Sequence, residues 1–141
     1  MSLRSIDLLI AVIFLGSAAV SSTPAETPRT CTPLEARQAR REASRLQDWQ
    51  SIYGSFKRFG GCDHGKVGEE YTYAVSRLLA HDWGHVDVLL ELAANDREFK
   101  QFVLQHVDEN IPEEEAQLII RNSRQRCPIN GEWLCKAIVD Y

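Results

Sequence analysis

The chain has 141 residues, enough for one domain, and a formal net charge of −4. This acidic balance argues against a nucleic acid partner, because phosphate backbones are bound through Lys and Arg. The charge is uneven: residues 26–58 hold seven Lys and Arg against four Asp and Glu, and residues 63–141 hold eight against fifteen. The split predicts either salt bridges between a basic first helix and an acidic body, or an acidic face that meets a basic partner.

The N-terminal segment has the order of a secretory signal peptide. Arg4 precedes an apolar run at residues 8–15, and mostly small residues follow at 16–22. We predict a signal peptide at residues 1–22, cleaved after Ser21 or Ser22, a mobile linker at 23–30 and a single helical domain at 31–141. The apolar run is too short to span a bilayer, so no stable membrane insertion is expected after cleavage. The alternative is an uncleaved segment anchored at the membrane surface.

The four cysteines all follow the predicted signal peptide. An even number of cysteines in an oxidising compartment predicts two disulfides. The first choice is Cys31–Cys62 with Cys127–Cys135, because each bond would then close one helical segment or a tight turn. The alternative pairs an early cysteine with a late one. A zinc site is not favoured, since there is no Cys-x-x-Cys pair and no partnering pair of histidines.

The first predicted helix begins at Thr32, which is followed by Pro33 at the first helical position and by Glu35 as a capping partner. Its apolar residues recur every three or four positions up to the break at residues 60–61. That stripe comprises Ala43, Leu46, Trp49, Tyr53 and Phe56. Away from it lies a basic face, most simply a solvated one and alternatively a binding surface, formed by Arg37, Arg40, Arg41 and Arg45.

Helical spacing continues to the C-terminus. A second helix is expected from Asp63 or Gly65, a third capped by Asp82, and a fourth after a break at residues 95–96. A fifth follows Pro112, with three glutamates in its first turn that suit the helix dipole, and a short last helix follows residues 130–131. No stretch alternates with the period of a strand. The sequence therefore predicts an all-α fold, a compact bundle of five or six short helices held by two disulfides.

Carboxylates and aromatic residues alternate around the start of the second helix, a combination typical of protein-binding sites. The predicted binding residues are Asp63, His64, Glu69, Glu70, Tyr71, Tyr73 and Trp83. The alternative is that Tyr71 packs inward and that Glu69 and Glu70 simply favour the positive end of the helix.

Two weaker interpretations concern the histidines. His81 and Asp82, with Cys62, Asp63 and His64 upstream, resemble the histidine–aspartate helix of secreted phospholipases A2, which implies a histidine that activates water beside calcium. His81 and His85 stand four residues apart, a spacing that can hold zinc on one helix face. We favour neither, and we predict no catalytic residue, no metal and no cofactor.

Two longer runs resemble a group of small exported bacterial proteins without an assigned activity. They are Cys62-Asp63-x-Gly65-x3-Glu69-x-Tyr71, continuing through Val75, Leu78, Leu79 and Trp83, and Phe99-x2-Phe102-Val103-Leu104-x-His106-Val107-Asp108. In overall form these proteins are similar to the helical, disulfide-bearing periplasmic immunity proteins that block interbacterial toxins.

Export, small size, the acidic body and the lack of a catalytic set predict a periplasmic or secreted, non-enzymatic binding module, and the proteins of the resemblance are similar to it in form. Such a module would act as an inhibitor or immunity protein that occludes a toxin or enzyme with a basic surface. The alternatives are a small secreted hydrolase that uses His81 and Asp82, and an envelope structural or stress protein.

Overall fold

The computed structural model describes residues 30–107 and 110–140, and the chain forms seven α-helices and no strand within them. The helices are α1 Pro33–Ala43, α2 Trp49–Phe59, α3 Gly65–His81, α4 Val86–Asn95, α5 Arg97–Gln105, α6 Glu113–Arg126 and α7 Glu132–Val139. Two short 3₁₀ turns, Gly60–Cys62 and Trp83–His85, precede α3 and α4. The predicted all-α fold is confirmed. The predicted signal peptide and residues 23–29 of the linker lie outside the described residues, as does Asp108.

The predicted first helix is two helices, which is why the described residues hold more helices than the five or six expected. The predicted start is correct, because the Thr32 hydroxyl accepts from the Glu35 backbone N–H at 3.2 Å. The helix ends at Ala43, however, and Asp48 caps a new one by accepting from the Ser51 backbone N–H at 2.7 Å. Because Leu46 and Trp49 are both buried, the apolar spacing continues across the break and conceals it.

The prediction that Asp82 caps a helix is wrong. Its carboxylate instead accepts from the ring of His85 at 2.7 Å, and α4 begins at Val86 without a side-chain cap. The predicted break at residues 95–96 is confirmed, since Asp96 caps α5 by accepting from the Phe99 backbone N–H at 3.0 Å.

The core surrounds α3, which packs against α1 on one side and α6 on the other. Its fully buried side chains include Tyr71, Val75 and Leu79. A cluster of aromatic rings joins α3 to α2 and α5, with the Phe102 ring centroid 4.9 Å from that of Phe56 and 5.0 Å from that of Tyr71. This packing fixes the end of α5 against the side of α3. None of the helices in the described ranges combines the length and apolar character that a membrane crossing needs.

Salt bridges join the basic N-terminal part to the acidic body. This is one of the two arrangements that the uneven charge predicted. Arg40 of α1 lies 3.8 Å from Glu70 of α3, and Lys57 of α2 lies 3.0 Å from Asp96. The hydrogen bond from Lys57 to Asp96 raises the pKa of Lys57. Burial opposes ionisation of Asp96, but its bonds from Phe99, Lys57 and Tyr53 outweigh that effect and lower its pKa.

Both predicted disulfides are confirmed. Cys31–Cys62, with a Cα–Cα distance of 4.9 Å, ties the segment that leads into α1 to the turn that precedes α3. Cys127–Cys135, with a Cα–Cα distance of 6.1 Å, ties the end of α6 to α7. Cys62 is buried against the core, so the first bond holds the N-terminal helix directly on the body of the domain.

We expect both disulfides to stabilise the fold without being essential to it. The Cys31–Cys62 bond spans 31 residues, and loop-closure entropy predicts that Cys31→Ser/Cys62→Ser lowers the free energy of unfolding by about 3.5 kcal/mol. The Cys127–Cys135 bond spans 8 residues, and Cys127→Ser/Cys135→Ser should lower it by about 2.5 kcal/mol. Denaturant titration of the two double variants and the oxidised parent measures these losses. Helical circular dichroism should persist at room temperature in both, and its complete disappearance in either would show that the apolar core alone cannot hold the helices.

Candidate binding cleft

An open cleft of about 640 Å³ lies between α3 and the segment that leads from α5 into α6. Its walls include Asp63, Glu69, Thr72, Tyr73, Ser76 and His106. Three of the predicted binding residues, Asp63, Glu69 and Tyr73, therefore lie at one site. Tyr73 is 54% exposed, which is unusual for a large aromatic side chain and places its ring at the surface.

His106 forms the inner wall of the cleft and joins three segments of the chain. Its Nε2 lies 3.0 Å from Oδ2 of Asp63, and its Nδ1 lies 2.9 Å from the Thr72 hydroxyl. The residue is only 5% exposed, and its ring packs 4.5 Å from the Phe102 ring, centroid to centroid. A neutral imidazole satisfies this site when Nε2–H donates to Asp63 and Nδ1 accepts from Thr72. Asp63 and Thr72 are thus held at the wall by a buried group.

A second polar contact lies farther along the cleft, between α3 and α6. The hydroxyl of Ser76, a fully buried residue, donates to Oε2 of Glu115 at 2.8 Å. Oε1 of the same carboxylate lies 3.8 Å from Nε2 of His81. Glu115 is therefore turned toward α3 and helps to seal the wall.

Among the described residues, the carboxylate of Asp63 has a hydrogen-bond partner at Oδ2 and none at Oδ1. Oδ1 faces Gly68, where an added Cβ would stand 3.2 Å from it, closer than ordinary van der Waals contact. Glycine inside a helix costs roughly 0.5–1 kcal/mol relative to alanine. Gly68 has no positive φ that would require glycine for backbone reasons. Its effect is to let the carboxylate of Asp63, a side chain that is only 14% exposed, lie close against α3.

Glu69 is the second carboxylate of the cleft. Its Oε2 accepts from Lys66 at 2.7 Å, but both side chains are more than 60% exposed. Such a surface pair contributes only about 0–1 kcal/mol, so it is easily exchanged for a stronger partner. In the described part of the chain, neither Oδ1 of Asp63 nor Oε1 of Glu69 accepts a hydrogen bond.

Two other predicted binding residues face a different side of α3. His64 is exposed and lines a separate, smaller groove beside α1. Glu70 is half-buried and pairs with Arg40 of α1. The structure therefore does not bring His64 and Glu70 to the cleft.

Tyr71 and Trp83 belong to the core, so the prediction that they are contact residues is wrong. The alternative prediction, that Tyr71 packs inward, is confirmed. Tyr71 is fully buried and shares a hydrogen bond with the Ser55 hydroxyl at 2.9 Å. Burial also raises the pKa of its own hydroxyl. Trp83 is 5% exposed and donates from Nε1 to the Arg126 carbonyl at 3.0 Å.

The three residues of the weaker interpretations do not assemble into one site. Asp82 bonds to His85 rather than to His81, and that hydrogen bond raises the pKa of His85. His81 turns toward Glu115 instead. The carboxylate–histidine arrangement implied by the phospholipase resemblance is therefore not formed by His81 and Asp82. No group of three or more His, Cys, Asp or Glu side chains within residues 30–107 and 110–140 is placed to hold a metal ion.

The sequence predicted no role in this cleft for Thr72, Ser76 or His106, and it did not predict the contact of Glu115 with Ser76. His106 was named only as a member of the run from Phe99 to Asp108. A buried histidine needs hydrogen-bond partners for both ring nitrogens, and this requirement could have marked His106 as part of a polar site. The requirement does not identify Thr72 as a partner, because Thr72 lies 34 residues away in the chain.

The order hydroxyl, imidazole, carboxylate in Thr72, His106 and Asp63 resembles the order used by nucleophilic enzymes. Such enzymes also need hydrogen-bond donors for the developing oxyanion. Thr72 lies inside α3, where helical bonds occupy the neighbouring backbone N–H groups. The arrangement is better suited to holding the wall of a binding cleft than to acyl transfer.

No family model, curated protein or solved structure gives a significant match to this chain. The residues of the cleft must therefore carry the functional argument.

We expect His106→Leu to lower the free energy of unfolding by about 2–4 kcal/mol, because it leaves two polar partners of a buried ring unsatisfied. His85→Leu is the matched control, since it removes a histidine–aspartate hydrogen bond of similar length from the surface. It should change stability by less than about 0.5 kcal/mol. Denaturant unfolding of both variants tests this difference, and equal losses would mean that His106 does not hold the wall.

Proposed function

We propose that this protein is an exported, non-enzymatic binding module whose cleft receives a basic surface of a partner protein. It would function as an inhibitor or immunity protein that occludes that surface. The observation that carries the proposal is the convergence of Asp63, Glu69 and the exposed Tyr73 ring on one open cleft. Binding sites concentrate their energy in such aromatic residues, at positions surrounded by fixed polar groups.

The charge of the cleft supports a basic partner. Among the described residues that line it, two are carboxylates and none is Lys or Arg. The formal net charge of −4 adds a long-range attraction that speeds encounter with a positively charged surface. A basic partner would also replace the weak Lys66–Glu69 pair with a less exposed one.

The rigidity of the cleft supports binding as well. Asp63 is held by His106 and directly follows Cys62, whose disulfide reaches back to Cys31. A binding surface that is already ordered avoids about 0.5–1.5 kcal/mol of cost for each side chain that would otherwise be immobilised.

Export fits this assignment. Two disulfides are present, and disulfides persist in oxidising compartments and are rare in the cytosol. Together with the signal-like N-terminal segment, they support a periplasmic or secreted location. The resemblance of the Cys62 and Phe99 runs to small exported proteins agrees with it.

The test is capture of a partner from a non-denaturing envelope extract of the producing cells, followed by binding measurements with variants. We expect Glu69→Lys and Tyr73→Ala each to weaken binding about tenfold or more, because each removes a central contact. Glu91→Lys makes the same charge reversal at an exposed position of α4 and should leave affinity unchanged. A partner that binds all three variants as it binds the parent would show that the cleft is not the site.

A second measurement separates the two disulfides. Removing Cys31–Cys62 should weaken partner binding beyond what its effect on stability explains, because this bond lies next to Asp63. Removing Cys127–Cys135 should not, because that bond joins α6 to α7. Both double serine variants are compared at a temperature where both are folded. Equal affinities would show that the first disulfide does not pre-order the cleft.

A further inference from the structure

The charged side chains that the described residues place in the lining of the cleft, other than the buried His106, are carboxylates. The Thr72 hydroxyl and both nitrogens of His106 bond to each other or to Asp63, and the Ser76 hydroxyl bonds to Glu115. What remains on the carboxylates is Oδ1 of Asp63 and Oε1 of Glu69, neither of which accepts a hydrogen bond from any described residue. A ligand that fits this inventory donates hydrogen bonds and carries positive charge.

Gly68 lets the carboxylate of Asp63 lie close against α3. The Cβ of any other residue would stand 3.2 Å from Oδ1, so the position of this carboxylate depends on the glycine. Asp63 and the exposed Tyr73 both line this cleft.

We propose that the cleft holds an arginine side chain of the partner protein. This inference rests on the proposed function and specifies the group that is recognised. A guanidinium is planar, donates from several N–H groups to carboxylate oxygens and stacks on aromatic rings. A lysine ammonium shares the charge but lacks the fork and the flat face. The two carboxylates and the Tyr73 ring therefore favour arginine over lysine.

The experiment uses three short peptides with blocked ends, acetyl-Gly-X-Gly-amide, in which X is arginine, lysine or citrulline. Each is titrated into the oxidised, isotope-labelled protein while the backbone amide signals of Thr72 and Tyr73 are followed by NMR. We expect the arginine peptide to bind with a millimolar Kd, roughly fivefold more tightly than the lysine peptide. Citrulline, which has a similar shape without the charge, should not bind.

Two matched pairs of variants locate the contact. Gly68→Ala should abolish binding of the arginine peptide, whereas Gly84→Ala should not, because an added Cβ at Gly84 meets nothing within 4 Å. Alanine is the better helix former, so Gly68→Ala is expected to fold. Glu69→Gln should weaken binding roughly threefold, and Glu91→Gln on α4 should have no effect.

Equal affinity for arginine and lysine, absence of binding at millimolar peptide, or binding that survives Gly68→Ala would each overturn the inference. Its failure differs from failure of the proposed function. If Glu69→Lys and Tyr73→Ala weaken partner binding but the peptides show no preference for arginine, only the arginine assignment is wrong. If partner binding ignores those variants, the proposed function is wrong whatever the peptides do.

Discussion

The buried imidazole of His106 determines how the cleft side of this domain is assembled. A ring that is excluded from water must find a partner for each nitrogen, and it finds them in Asp63 and Thr72. These partners belong to the loop before α3 and to α3 itself, whereas His106 ends α5. One side chain therefore fixes three segments relative to one another. The cleft is the space that remains in front of this junction.

The placement of charge follows from the same arrangement. On the side of α1 and α2, Arg40, Arg58 and Lys57 pair with Glu70, Glu42 and Asp96. Those pairs use three of the six Lys and Arg side chains that the structure describes between residues 30 and 58. On the opposite side of α3, Asp63 and Glu69 line the cleft, and none of the lining residues within 30–107 and 110–140 is Lys or Arg. The charge split that is visible in the sequence becomes a paired face and an acidic face.

Local signals predicted most of the fold, because caps and helical spacing act within a few residues. Thr32, Asp96 and Pro112 mark helix starts that the structure contains. The helix break before Asp48 was not predicted, because Leu46 and Trp49 keep the apolar spacing across it. Tyr71 and Trp83 were misplaced for a similar reason: an aromatic residue near a helix start can face either way, and only packing from distant segments decides. The partners of His106, 34 and 43 residues away, are not local at all.

The two glycines at the start of α3 show how such distant causes leave a trace in sequence. Gly65 has a φ of +54°, a conformation that side chains disfavour, so the backbone itself requires glycine there. Gly68 has no such requirement and sits where alanine would make a better helix. Its reason lies across the loop, in the carboxylate of Asp63 that an added Cβ would crowd. With glycine at this position the carboxylate of Asp63 can lie close against α3 and bond to His106, so a local cost in the helix supports the junction of three segments.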